Sequence, residues 1–200
     1  PGSLPLKPGM NRFVWDFRLK GATKVPGAVF WFAWGEVAPK AVPGEYSAVL
    51  EFNGETITRD FTLRKDPRLN LSDRDYREQF DLLQKITDKL SQTHQTVNAI
   101  RDLRIQIKSL TDRMGTEEAG EVRERAAGIQ EELTAIEEML IQTKARVTQD
   151  LLNYPIRLNN KLAALAMVVS GNECAPTRQS LRVFESLRER VDVQMNRFRQ

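Results

Sequence analysis

The chain has 200 residues and a mass of 22.9 kDa, 40% of them hydrophobic and 28% charged, with a mean hydropathy of −0.46. This is the composition of an ordinary folded protein, long enough to bury a core without disulfides, and it excludes a disordered tail. No stretch approaches the roughly 18 consecutive apolar residues that a bilayer span needs, which argues against membrane insertion.

Basic residues number 30 and acidic residues 27, for a formal net charge of +3. The two signs are mixed throughout, with nine basic and seven acidic residues through Asp66 and 21 and 20 beyond it. Such an imbalance makes no basic stripe, and there is no Gly-rich phosphate loop, so nucleic acid is not expected as a partner. One cysteine, Cys174, and one histidine, His94, exclude a disulfide framework and a Cys/His zinc cluster.

The chain opens Pro1-Gly2-Ser3, with no initiator Met, basic n-region or apolar h-region. It therefore shows no signal peptide and reads as a piece of something longer. All three Trp and most of the Gly, Pro and Phe precede Asp66, whereas Leu, Arg, Glu and Gln dominate after it. That shift places a boundary at Arg64-Lys65-Asp66-Pro67, between a β unit over 1–66 and a helical unit over 67–200.

In the β unit, Phe13, Trp15 and Phe17 fall on one face and Asp16 and Arg18 on the other, the period of a half-buried strand. The continuous block from Val29 to Trp34 is a weaker second strand. Tyr46, Ala48, Leu50 and Phe52 alternate up to Asn53-Gly54, and Ile57, Phe61 and Leu63 alternate after it. Asn-Gly supplies the two positive φ angles of a type I′ turn, which predicts a hairpin of 45–52 with 56–64. With turns at Pro26-Gly27 and Pro43-Gly44, the layout has the spacings of an antiparallel β-sandwich, which four strands are too few to close.

Ser72 followed by Asp75 is a helix-start signature. From Leu83 to Met114 apolar residues recur every three or four positions, predicting a helix over 73–114 about 60 Å long at roughly 1.5 Å per residue. Val122, Ala126, Ile129, Leu133, Ile136 and Leu140 form the seam of a second helix, about 117–146, returning antiparallel after the Gly115–Gly120 turn. Pro155 breaks the pattern. A third helix over 157–170 and a fourth over 176–199, with Pro176 in its first turn, complete an elongated antiparallel bundle. Residues 158–200 are expected to pack against one half of the long hairpin. The fold class is α+β, with the β and helical parts segregated.

The chemistry-bearing residues are sparse, and no catalytic, cofactor-binding or metal-binding residue is expected. His94 has no Glu or Cys at ligand spacing and reads as an exposed or capping histidine. Cys174 has no neighbouring base and reads as inert. Glu117-Glu118 and Glu137-Glu138 are adjacent helix residues pointing about 100° apart, so they read as solvated faces and not as opposed catalytic acids. Asp16 and Arg18 suit a cross-strand or interdomain ion pair. The polar run Asn153–Lys161 suits the satisfaction of loose helix ends. Trp15, Trp31 and Trp34 are the candidate ligand-binding residues. Their spacing favours core packing or a contact that fixes the β part on the bundle, while display as stacking platforms would make a carbohydrate-binding accessory domain.

As a set, Asn11–Arg18, Val25-Pro26-Gly27, Pro43–Tyr46, Arg64–Pro67, Gln79–Leu83, Leu152–Leu162 and Pro176-Thr177 resemble the C-terminal region of bacterial sortilin-like, BNR (Asp-box) repeat propeller proteins, often labelled glycosyl hydrolases. The Trp-Asp segment followed by Pro-Gly-x-Tyr also resembles the Ig-like domain of flagellar hook-capping proteins. The resemblance implies an exported parent protein (periplasmic, cell-surface or secreted) with its propeller upstream, where any hydrolase activity would reside, since no Asp-box pattern occurs here. It implies a non-catalytic structural or interaction module whose partners are that propeller or another protein; pairing with a second copy through the helical hairpin rests instead on the hairpin's length beyond the two shorter helices.

Overall fold

The computed structural model describes residues 7–33, 38–114 and 120–200. Its elements are a two-stranded antiparallel sheet, β1 (Gly44–Phe52) and β2 (Glu55–Leu63), followed by four packed helices: α1 (Asp73–Arg113), α2 (Gly120–Leu140), α3 (Leu158–Ser170) and α4 (Arg178–Arg199). The class is α+β. A full β-sandwich is not present among the described residues, and the helices carry the core.

The hairpin forms where Asn53-Gly54 demands it, with φ of 50° at Asn53 and 83° at Gly54. Gly54 would strain any residue bearing a Cβ. The register pairs Tyr46 with Phe61, Leu50 with Ile57 and Phe52 with Glu55, so the alternating apolar residues share one face. The other face carries Glu45, Ser47, Asp60, Thr58 and Glu51.

The predicted strand at 13–17 is a bend. Phe17 takes a φ of 61°, Asp16 Oδ1 accepts the Arg18 amide at 3.0 Å, and Trp15 Nε1 donates to Arg18 O at 2.8 Å. These local bonds close the chain on itself, and what remains of strand pairing is one antiparallel bridge between Arg18 and Lys40. The described part of the predicted second strand, Val29–Ala33, is likewise irregular. Trp34 and Glu117-Glu118 lie outside the described residues, as does most of the Gly115–Gly120 turn.

α1 starts at a capping box: Ser72 N–H donates to Asp75 Oδ2 at 2.9 Å, and Asp75 N–H donates to Ser72 Oγ at 3.2 Å. Its fully buried residues run from Leu82 to Ile100, because α3 and α4 cover only that half, as expected for residues 158–200. Ile86, Leu90, Val97 and Ile100 meet Ile136, Leu140, Leu162 and Val191 in one core. Each such side chain contributes about 1.5–3 kcal/mol by leaving water. Beyond Ile100, α1 runs antiparallel to α2, leaving Ile105 and Leu110 exposed.

α2 ends at Leu140, six residues short of the predicted end. Gln142 Nε2 donates instead to Pro155 O at 2.8 Å, and the Asp150 carboxylate accepts the amides of Arg146 and Val147 at 2.7 and 3.0 Å. Those side chains offer the backbone an alternative to the helix and lead into a single 3-10 turn over Thr148–Leu152. α4 is capped by Thr177, whose Oγ1 accepts from Ser180 N–H at 3.1 Å, so Pro176 stands just ahead of the helix and not in its first turn.

Candidate functional site

Between the bend at Phe17 and the hairpin, the chain crosses the helices as an irregular strap, residues 21–33. Ala22, Val25 and Ala33 are buried in the helical core, and Phe30 packs against it. The β and helical parts are therefore not segregated: Ala22, Val25 and Ala33 of the N-terminal segment belong to the bundle's own core.

The strap has no ladder, so its backbone groups are met by side chains. Ser91, His94, Asn98 and Arg101 recur at three- and four-residue spacing, which sets them on one face of α1. Ser91 Oγ accepts from Thr23 N–H at 3.1 Å, His94 Nδ1 donates to Thr23 O, Asn98 Nδ2 donates to Lys24 O at 3.0 Å, and Arg101 donates to Pro26 O at 2.7 Å. Farther along, Asn160 on α3 takes both backbone groups of Trp31. Asn160 thus serves the strap, where the polar run around Pro155 had been expected to satisfy helix ends.

His94 is only 1% exposed, a correction to the exposed or capping histidine expected. Its Nδ1–H is committed to Thr23 O, which fixes the tautomer, and the Phe30 ring stands edge-on at 6.0 Å. Nε2 is buried without a hydrogen-bond partner among the described residues, and burial pushes the imidazole below its ordinary pKa. The ring is therefore neutral near pH 7 and locks the strap.

Glu137 is the second correction. Its side chain is 4% exposed, with Arg101 Nε at 2.7 Å and Arg104 at 2.8 Å, one on each carboxylate oxygen. Arg104 also donates to Gln130 Oε1, and Gln130 returns a bond to Arg104 O, both at 3.2 Å. A carboxylate whose two oxygens both face guanidinium groups is a clamp between α1 and α2, and it ties Pro26 of the strap to the same Arg101. Asp16 and Arg18 form a local ion pair at 3.8 Å within one bend. Cys174 is an exposed free thiol.

The tryptophans have separate surroundings. Trp15 lies over the base of the hairpin, with ring centroids 5.9 Å from Tyr46, 6.4 Å from Phe61 and 5.3 Å from Phe17. Trp31 meets Phe32 edge-on at 4.9 Å. Beyond Trp15 the apolar face of the hairpin is uncovered: Leu50 is 47%, Ile57 48% and Phe52 53% exposed. Met10, Phe13 and Val14, on the segment leading into the bend, are more exposed still. This apolar surface is the molecule's candidate site; among the described residues no group of His, Cys, Asp and Glu could hold a metal ion. No described helix is long and apolar enough to cross a membrane.

The strap and its clamps are what the sequence reading missed. Their signal was the polar 3-4-3 stripe of α1, which hydrophobic periodicity alone passes over. Comparison of the chain with protein-family models, with curated proteins and with solved structures finds no match.

Proposed function

We propose that this chain is a non-catalytic interaction module of a larger exported protein of the sortilin-like propeller kind, with the four helices as the rigid platform and the β1–β2 hairpin as the contact element. The uncovered apolar face of the hairpin carries the reading. A two-stranded sheet is marginal in water by itself, and both strands present unpaired backbone edges. Burying Leu50, Phe52 and Ile57 under strands of the propeller portion would stabilise both partners. The residues resembling that family supply the identity of the partner, and the packing of Trp15 on Tyr46 and Phe61 supports its role as the hairpin's anchor in preference to a sugar platform.

Calorimetric titration of the chain with the separately expressed propeller portion tests this. Wild type binds, and the double variant Leu50→Ser with Ile57→Ser loses at least tenfold in affinity. Equal binding by wild type and the double variant sinks the reading, as does turnover of a glycoside panel by the purified chain.

A second reading rests on the far end of α1 and α2, where Ile105, Leu110, Val122 and Ile129 are exposed beyond the reach of α3 and α4. Self-association there would cover them. Light scattering that reports a monomer at high micromolar concentration removes it.

A further inference from the structure

A groove of about 590 Å³ lies between the base of the hairpin, the Phe17 bend and the first turns of α1. That is within the size range of small-molecule sites. Its apolar walls include Phe17, Val42 and Leu63 on the β side and Phe80 and Leu83 on α1. Its charged residues are Arg18, Lys40, Arg64 and Lys65, with Asp16, Asp66 and Glu173.

The three carboxylates are all satisfied. Asp16 accepts the Arg18 amide at 3.0 Å, Asp66 holds Arg68 at 2.6 Å, and Glu173 accepts from the Tyr76 hydroxyl at 3.2 Å. Two of the cations are engaged as well, Arg18 on Ala38 O at 3.1 Å and Lys65 on Leu71 O at 3.1 Å with Asp73 at 3.6 Å. Lys40 and Arg64 have neither a carboxylate nor a carbonyl partner among the described residues. The groove therefore combines an apolar body with two cations free of a partner: Asp16 and Asp66 are each paired with an arginine, and Glu173, bonded to the neutral Tyr76 hydroxyl, offsets only one of the two charges, so a net positive charge is left.

We propose that this groove binds an amphipathic organic anion: a carboxylate answered by Lys40 and Arg64, carried on an apolar chain that lies against Phe17, Phe80 and Leu83. Charge complementarity selects the head group and the apolar walls select the body. The site stands apart from the outer hairpin face, since Leu50, Phe52 and Ile57 do not line it.

Isothermal titration of the intact chain with decanoate, below its micelle-forming concentration, tests the proposal against decylamine and butyrate. Decanoate is expected to bind, and decylamine, with the wrong charge, and butyrate, with too little apolar body, are not. Lys40→Gln and Arg64→Gln should each weaken decanoate about tenfold, the loss of one charge-assisted contact. Both side chains are exposed, so circular dichroism and thermal melting should be unchanged in these variants. Leu50→Ser with Ile57→Ser should leave decanoate binding as in wild type. Equal affinity for decylamine, unchanged affinity in both charge variants, or loss of binding only in the hairpin variant would each overturn the assignment.

Discussion

The side-chain amide of Asn160 holds both backbone polar groups of Trp31, its Oδ1 accepting from the N–H at 2.7 Å and its Nδ2 donating to the C=O at 2.9 Å. One buried residue on α3 thereby does what a neighbouring strand would have done for the strap. At the middle of the apolar block 29–33, Trp31 therefore needs no strand partner: its hydrogen bonds are made by a side chain of a helix.

Removing that pair leaves a half-buried amide and carbonyl unmatched. Asn160→Ala should destabilise the chain by about 1–3 kcal/mol, read as a lower urea midpoint. Asn160→Asp should cost at least as much, because it sets a carboxylate against the Trp31 carbonyl. Faster hydrogen exchange at the Trp31 amide would locate the effect.

His94 gives the fold a pH dependence. Its folded pKa lies below the ordinary 6.5, burial outweighing the bond to Thr23 O. The unfolded chain therefore takes up a proton that the folded chain refuses. Stability is full above pH 6.5 and falls as pH drops, by up to about 1.4 kcal/mol per unit, until the folded pKa is passed. Asp66, Asp75 and Asp150, all lowered by hydrogen bonds, contribute stability that persists above their ordinary 3.8, so the window between pH 5 and 6.5 belongs to His94. Urea midpoints from pH 8 to pH 5 should decline in wild type and stay flat over that window in His94→Gln.

Glu137→Ala strands Arg101 and Arg104 beside the core. The expected loss is about 3 kcal/mol, the low end of the range for a broken buried pair, because both guanidinium groups keep some contact with water. Replacing all three groups together, as Arg101→Met, Arg104→Met and Glu137→Leu, should recover most of it. A triple variant no more stable than Glu137→Ala would show that the network contributes more than charge matching.

Local grammar was legible. Ser72 with Asp75, Asn53-Gly54 and the apolar seams of α1 and α2 each depend on nearest neighbours, and each produced its element. The failures are mostly long-range, the early end of α2 at the local Asp150 bonds being an exception. Phe13, Trp15 and Phe17 have the alternation of a strand, but a strand exists only when a neighbour pairs with it, and the Asp16 and Arg18 bonds closed the chain first. His94 and Glu137 look solvent-bound on their own helices because what buries them, the strap and a second helix, lies 71 and 36 residues away in sequence. The uncovered hairpin face was foreshadowed by the shortage of strands, whereas the groove beneath it depends on residues from five separate stretches and left no pattern in the sequence.

Hydrogen–deuterium exchange across residues 44–63 tests the central claim that the hairpin is a contact element, comparing the chain by itself with the same chain joined to or mixed with the propeller portion. The account predicts rapid exchange at the outer edges of β1 and β2 in the isolated chain and protection of at least tenfold when the propeller portion is present. Identical exchange in both states, with the helices equally protected throughout, would contradict it.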